Sequence, residues 1–109
     1  MCDHQPEDDE EAAREPRYDL ASEAATLRTP MGSPAKVVVR NLSKSGFQTE
    51  WPYTLKRGDR VWLKIKGVES LPALVAWFDR YMIGCRFEHP LHDAVLADIL
   101  AKAGGKRTN

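Results

Sequence analysis

No apolar run in this 109-residue chain approaches the ~20 residues that a membrane-spanning helix needs. Cysteine is scarce. The chain has two, Cys2 and Cys85, which gives no framework for disulfides. Cys85 lies in an apolar segment and reads as a small buried hydrophobe, whereas Cys2 reads as an exposed free thiol. The N-terminus, MCDHQPEDDEEAAREP, is acidic, so neither a secretory signal nor a transit peptide is expected. The expected location is therefore cytoplasmic, with no membrane insertion. Internal repeats are absent. No carboxylate pair, Gly-rich phosphate loop or His-based arrangement suggests catalysis, and none is expected. Cys85, His89 and His92 can be written as C-x3-H-x2-H, but Cys85 should face the core, Pro90 constrains the connection and no fourth ligand is evident. Neither a metal nor a cofactor is expected.

What is present is an uneven charge. Formal net charge is zero, yet residues 1 to 20 hold eight acidic and two basic side chains, and the rest of the chain is correspondingly basic. A basic body suits an anionic partner, although a solvated surface has the same composition. The acidic tail could lie over a basic site when that site is empty. The length allows one domain with a modest core. Residues 1–13 are charged and poor in apolar groups and read as a disordered acidic tail. Residues 14–103 read as the folded domain, and residues 104–109 as a flexible tail.

Within the folded part, Tyr18 to Arg28 has a broken alternation, as a strand with an irregularity would. Thr29 to Ala35 is a turn by composition. Lys36 to Arg40 is a β-branched strand, and Phe47 to Glu50 a short one joined to it by a tight turn. Arg60 to Lys66 alternates cleanly, with Val61, Leu63 and Ile65 on one face. Leu71 to Asp79 is apolar on both faces, as a central strand of a closed or wrapped sheet would be. Asp79 and Arg80 turn the chain into a strand over Tyr81 to Phe87. Pro90 then suits a first helical turn, Leu91, Val95 and Ile99 form a stripe, and Gly104 and Gly105 stop the helix. Six short strands in so small a chain must close on themselves to bury their faces. The predicted fold is all-β with one helix: a six-stranded antiparallel β-barrel capped by a C-terminal α-helix.

The turn after the second strand carries Asn41, Ser43 and Gly46 as N-x-S-x-x-G, with Arg40 and Lys44 beside it. An asparagine amide both donates and accepts, so it can pair with a purine edge. A serine hydroxyl can donate to a phosphate or hold the turn. Glycine can take positive φ and lets a ligand approach the backbone. A plain hairpin would use Asn and Gly in the same places. Arg14 and Arg17 stand ahead of the first strand, and arginine forks onto phosphate or a guanine O6/N7 edge.

The ordered set resembles the PilZ domain family. It comprises the arginine pair, N-x-S-x-x-G, then Gly58, Asp59, Val61 and Leu63, then Val75 to Trp77, then Gly84, Cys85 and Phe87, spanning roughly residues 14 to 101. The resemblance implies a six-stranded barrel with a C-terminal helix that binds the bacterial second messenger cyclic di-GMP without catalysis. It implies a site of Arg14, Arg17, Asn41, Ser43 and Gly46, with Arg40 flanking. Asn41 would read a guanine, Ser43 would bond ligand or hold the loop, and the arginines would contact base edges and phosphates. One departure stands out. The family's R-x-x-x-R element would put its first arginine at Ala13, and Arg14 is one place late. Losing one charge-assisted contact would weaken binding by about one to two powers of ten.

The expected function is therefore a cyclic di-GMP receptor or adaptor that changes its surface to regulate an unidentified protein effector. The alternative is a PilZ-like adaptor that has lost or weakened the ligand and acts only through protein contacts. Trp62, on the polar face of its strand, would suit such a contact, or be covered by a helix or tail. Trp77 borders the ligand or packs at the rim, and nothing in the sequence ties Arg86 to the site. Nucleic-acid binding by a small basic barrel is the third reading. The acidic tail and the lack of an exposed aromatic series count against it, so no DNA or RNA partner is expected.

Overall fold

Alternation in Arg60–Ile65 has the predicted outcome. Val61, Leu63 and Ile65 are fully buried, and Arg60 and Lys64 face solvent. The computed structural model describes residues 15–21 and 24–108. The elements are β1 (Tyr18–Asp19), β2 (Ala25–Arg28), β3 (Ala35–Val37), β4 (Gly46–Glu50), β5 (Arg60–Ile65), β6 (Leu71–Asp79), β7 (Met82–Phe87), α1 (Asp93–Ala103) and β8 (Lys106–Arg107). Six of the strands form one antiparallel sheet in the order β3-β2-β5-β6-β7-β4. The two-residue strands β1 and β8 pair separately with each other.

The sheet does not close. It wraps through 235° as an open half-barrel, with its edges 7 Å apart, and this corrects the expected barrel. The edges are β3 and β4, the two strands the sequence joins as a hairpin. β3 spends its pairing on β2 and leaves that ladder after Val37. Across the gap only Arg40 and Gln48 pair, through two backbone bonds of 2.8 Å. The Thr49 hydroxyl donates to the Val38 carbonyl at 2.9 Å, replacing one more rung. A 7 Å gap is wider than the ~4.8 Å of a hydrogen-bonded pair and narrower than the ~9.6 Å that another strand between them would need.

Two elements also differ from their sequence pattern. Tyr18 to Arg28 is not one irregular strand. It divides into β1 and β2, which belong to different sheets. β6 has the predicted bounds, but only its inner face is buried. Ala73 and Val75 are in the core, while Leu74 and Trp77 are each 40% exposed. A register shift between Val75 and Trp77 makes room for this alternation to change phase.

The inner faces enclose one core, including Leu27, Leu63, Ile65 and Ile83, with the Phe47 and Phe87 rings 5.5 Å apart. The helix closes one end with Leu96, Ile99 and Ala103. Of the predicted stripe Ile99 is buried and Val95 half-buried, and Leu91 is buried ahead of the helix rather than in it. Gly104 takes a left-handed φ of 66° and its N–H bonds the Leu100 carbonyl, so the helix stops there. The chain then returns to β1, where Thr108 N donates to the Arg17 carbonyl at 2.8 Å.

Candidate functional site

Asn41 has a φ of 51°, a left-handed conformation that asparagine tolerates better than most residues. The bend delivers its neighbours to β1. Tyr18 and Leu42 exchange backbone bonds of 3.0 and 2.7 Å, and the Asn41 N–H donates to Asp19 Oδ1 at 3.0 Å. The Asn41 amide nitrogen donates to Gln48 Oε1 at 3.1 Å. Thr108 N donates to the Arg17 carbonyl at 2.8 Å, and the one proton of its hydroxyl is shared between that carbonyl at 3.2 Å and Asn41 Oδ1 at 3.5 Å. Arg17 and Asn41, far apart in sequence, therefore share one corner, and Thr108, just after β8, fastens it.

The rest of the turn is held from beneath. Ser43 N donates to the Gly46 carbonyl at 2.9 Å, which closes the turn. The Ser45 and Lys44 carbonyls accept from Phe87 N at 2.9 Å and Leu91 N at 2.8 Å. Lys44 Nζ lies 3.0 Å from Asp93 at the helix start. That hydrogen bond and the Asp93 charge raise the Lys44 pKa above its ordinary value, and the Glu15 charge adds a smaller part. Ser43 is buried, and its hydroxyl is 3.2 Å from that of Ser45. Ser45 Oγ in turn donates to Glu15 Oε1 at 2.8 Å. Gly46 has no positive φ. Its missing side chain is explained by packing, since a Cβ there would collide with the Cys85 carbonyl oxygen on β7.

Beyond the turn lies the outer face of β4, β7 and β6. Gln48, Gly84 and Trp77 stand in one row across it. The Trp77 indole lies against Gly84, where any Cβ would strike the ring. Trp77 thus rests on a backbone platform with its ring part-exposed. Arg86 is exposed and stands in register with Gly46 on one side and Leu74 on the other. Sequence spacing hid this placement, because it depends on which strands pair.

Arg40 faces the seam between the edges. It lines a groove of about 500 Å³ with Lys36, Val38, Glu50, Trp51 and Tyr81. Trp62 lies elsewhere, on β5, with the Arg28 guanidinium 4.2 Å above its ring and Arg60 at 6.0 Å. These cations cover the ring, which is half-buried.

Arg17, Asn41, Ser43 and Gly46 thus come together at one end of the sheet, and Arg40 stands across from Gln48. Arg14 and Ala13 lie outside the described residues. Glu15, Gln48 and Thr108 join the corner without a sequence motif to announce them. Among the described residues, no group of three His, Cys, Asp or Glu side chains could hold a metal ion. Cys85 is buried, and burial pushes its thiol from 9.0 up to about 12, far from a reactive thiolate. No helix among the described residues is long and apolar enough to cross a membrane.

No curated protein matches the chain. A family model does, that of the PilZ domain, over residues 12–102. That match takes in the loop, the row on the outer face and all but the last residue of the helix, and the chain belongs to the PilZ domain family.

Proposed function

We propose that this chain is a receptor for cyclic di-GMP that regulates a partner protein by changing its surface. PilZ is a non-catalytic receptor and adaptor fold, so the chemistry required is recognition alone. The observation that carries the reading is the shared corner of Arg17 and Asn41, joined through Thr108 and the Tyr18–Leu42 bridge. In the proposed complex Asn41 reads a guanine edge with its amide, exchanging its Gln48 bond for the base. Arg17 forks onto phosphate or a guanine O6/N7 edge, with Arg14 in support. Trp77, packed against Gly84 and part-exposed, offers a stacking surface for a base. Ser43 holds the loop, and Arg40 flanks it. The proposed place of action is the cytoplasm.

Calorimetric titration of the chain and of Arg17→Ala and Asn41→Ala tests this. Each substitution should cost at least about tenfold in affinity. Variants that bind as tightly as the parent would contradict the assignment.

A second reading has its own observation. The Asn41 amide and the Ser45 hydroxyl are already satisfied inside the chain. An adaptor that acts only through protein contacts would look the same. A partner recovered equally well with and without the dinucleotide would favour it.

A further inference from the structure

Glu15 is the feature of the site that its proposed ligand does not explain. Its carboxylate accepts from Ser45 Oγ at 2.8 Å, and Ser45 Oγ is 3.2 Å from Ser43 Oγ. A hydroxyl has one proton to give. With the Ser45 proton committed to Glu15, Ser43 must be the donor in the serine pair. The Ser45 N–H is directed at Ser43 Oγ from 3.4 Å. The donors of this turn therefore point in series toward one carboxylate, and the Lys44 ammonium feels its charge.

A carboxylate and a phosphate make the same demand on such a loop, an anionic oxygen that accepts. We propose that Glu15 is an intramolecular stand-in for a phosphate group, occupying the anion position of the Ser43–Gly46 turn and setting its affinity. The proposal rests on the receptor reading for its ligand, cyclic di-GMP, but the anion position can be probed without that ligand. Two facts of the chain hold Glu15 there. It precedes Pro16, which biases its backbone to an extended form. The Arg17 carbonyl just beyond is bonded by Thr108. An incoming phosphate must displace the carboxylate and is repelled by it until it does. Glu15 thus lowers affinity by competition as well as by charge. It also stands two residues ahead of Arg17, so its release bears on the segment that carries that arginine.

The test uses the full chain, Glu15→Gln and Glu15→Ala in two titrations. Inorganic phosphate is followed through the backbone amide signals of residues 43–46, and cyclic di-GMP by calorimetry. Both variants should take phosphate at about tenfold lower concentration than the parent, and bind the dinucleotide about tenfold tighter. Equal or weaker binding of both probes by both variants would overturn the proposal. If the variants gain phosphate binding and no protein takes the dinucleotide, the anion position stands and the receptor reading falls. If parent and variants bind the dinucleotide equally, the receptor reading stands and Glu15 is no stand-in.

Discussion

Gly46 sits so close to β7 that an added methyl would press on the Cys85 carbonyl oxygen and the neighbouring backbone. The atoms in the way cannot swing aside as a side chain would. Gly46→Ala should cost about 1–3 kcal/mol in stability, visible as a thermal midpoint several degrees lower. An unchanged midpoint would mean that β4 and β7 separate freely. The turn's glycine was legible in the sequence, but its reason was not, because the reason lies on a strand some forty residues away. Cys85 makes a second prediction at this scale. Its folded pKa is raised from 9.0 to about 12. Below pH 9 the thiol is neutral whether folded or unfolded, so it imposes no penalty. Between about 9 and 12 the unfolded chain ionises and the folded one does not, so stability falls as pH rises. Urea unfolding across pH 8 to 10.5 should show a steeper decline in the parent than in Cys85→Ala. Parallel declines would place the thiol in contact with water.

At the scale of elements, the β6–β7 hairpin shows a local conflict. Its two turn residues, Arg80 and Tyr81, have φ of 51° and 67°, and Asp79 pairs with Met82 across them. Two-residue hairpins favour this primed geometry because it matches strand twist, and they favour Asn-Gly to form it. Arginine and tyrosine take it at a cost of about 1–2 kcal/mol per residue. Replacing Arg80–Tyr81 by Asn-Gly should therefore stabilise the fold by about 1 kcal/mol or more, read by denaturant unfolding. A loss of stability would mean that the Tyr81 ring, 67% exposed, packs better than its exposure implies. β5 and the bounds of β6 were legible in sequence because alternation and punctuation are local, whereas the one-sided burial of β6 was not. The pairing of β3 with β2 instead of β4 was not, since short β-branched runs do not declare their neighbours. β8 has two residues, too few to show any period. Yet its neighbour Thr108 ties Arg17 to Asn41. Arg86 entered the outer face only once the β4–β7 register was known.

For the whole molecule, the open seam and the candidate site belong to the same architecture. Because the sheet stops at 235°, β3 and β4 remain separate edges, and the chain between them carries Asn41 to Ser45 across the end of the sheet. β1 and the segment after α1 both come to that crossing. The sequence showed the motif and the arginines, and topology supplies their meeting point. The charge asymmetry follows the same division, with acidic side chains concentrated ahead of Arg17 and a basic body behind it. The most direct test of the account is a titration of the labelled chain with cyclic di-GMP, read residue by residue in amide and indole signals. The account predicts shifts concentrated at Arg17 to Asp19, Asn41 to Gly46, Gln48, Gly84 and the Trp77 indole. No shifts at high micromolar ligand, or shifts confined to the seam groove around Val38 and Tyr81, would contradict it.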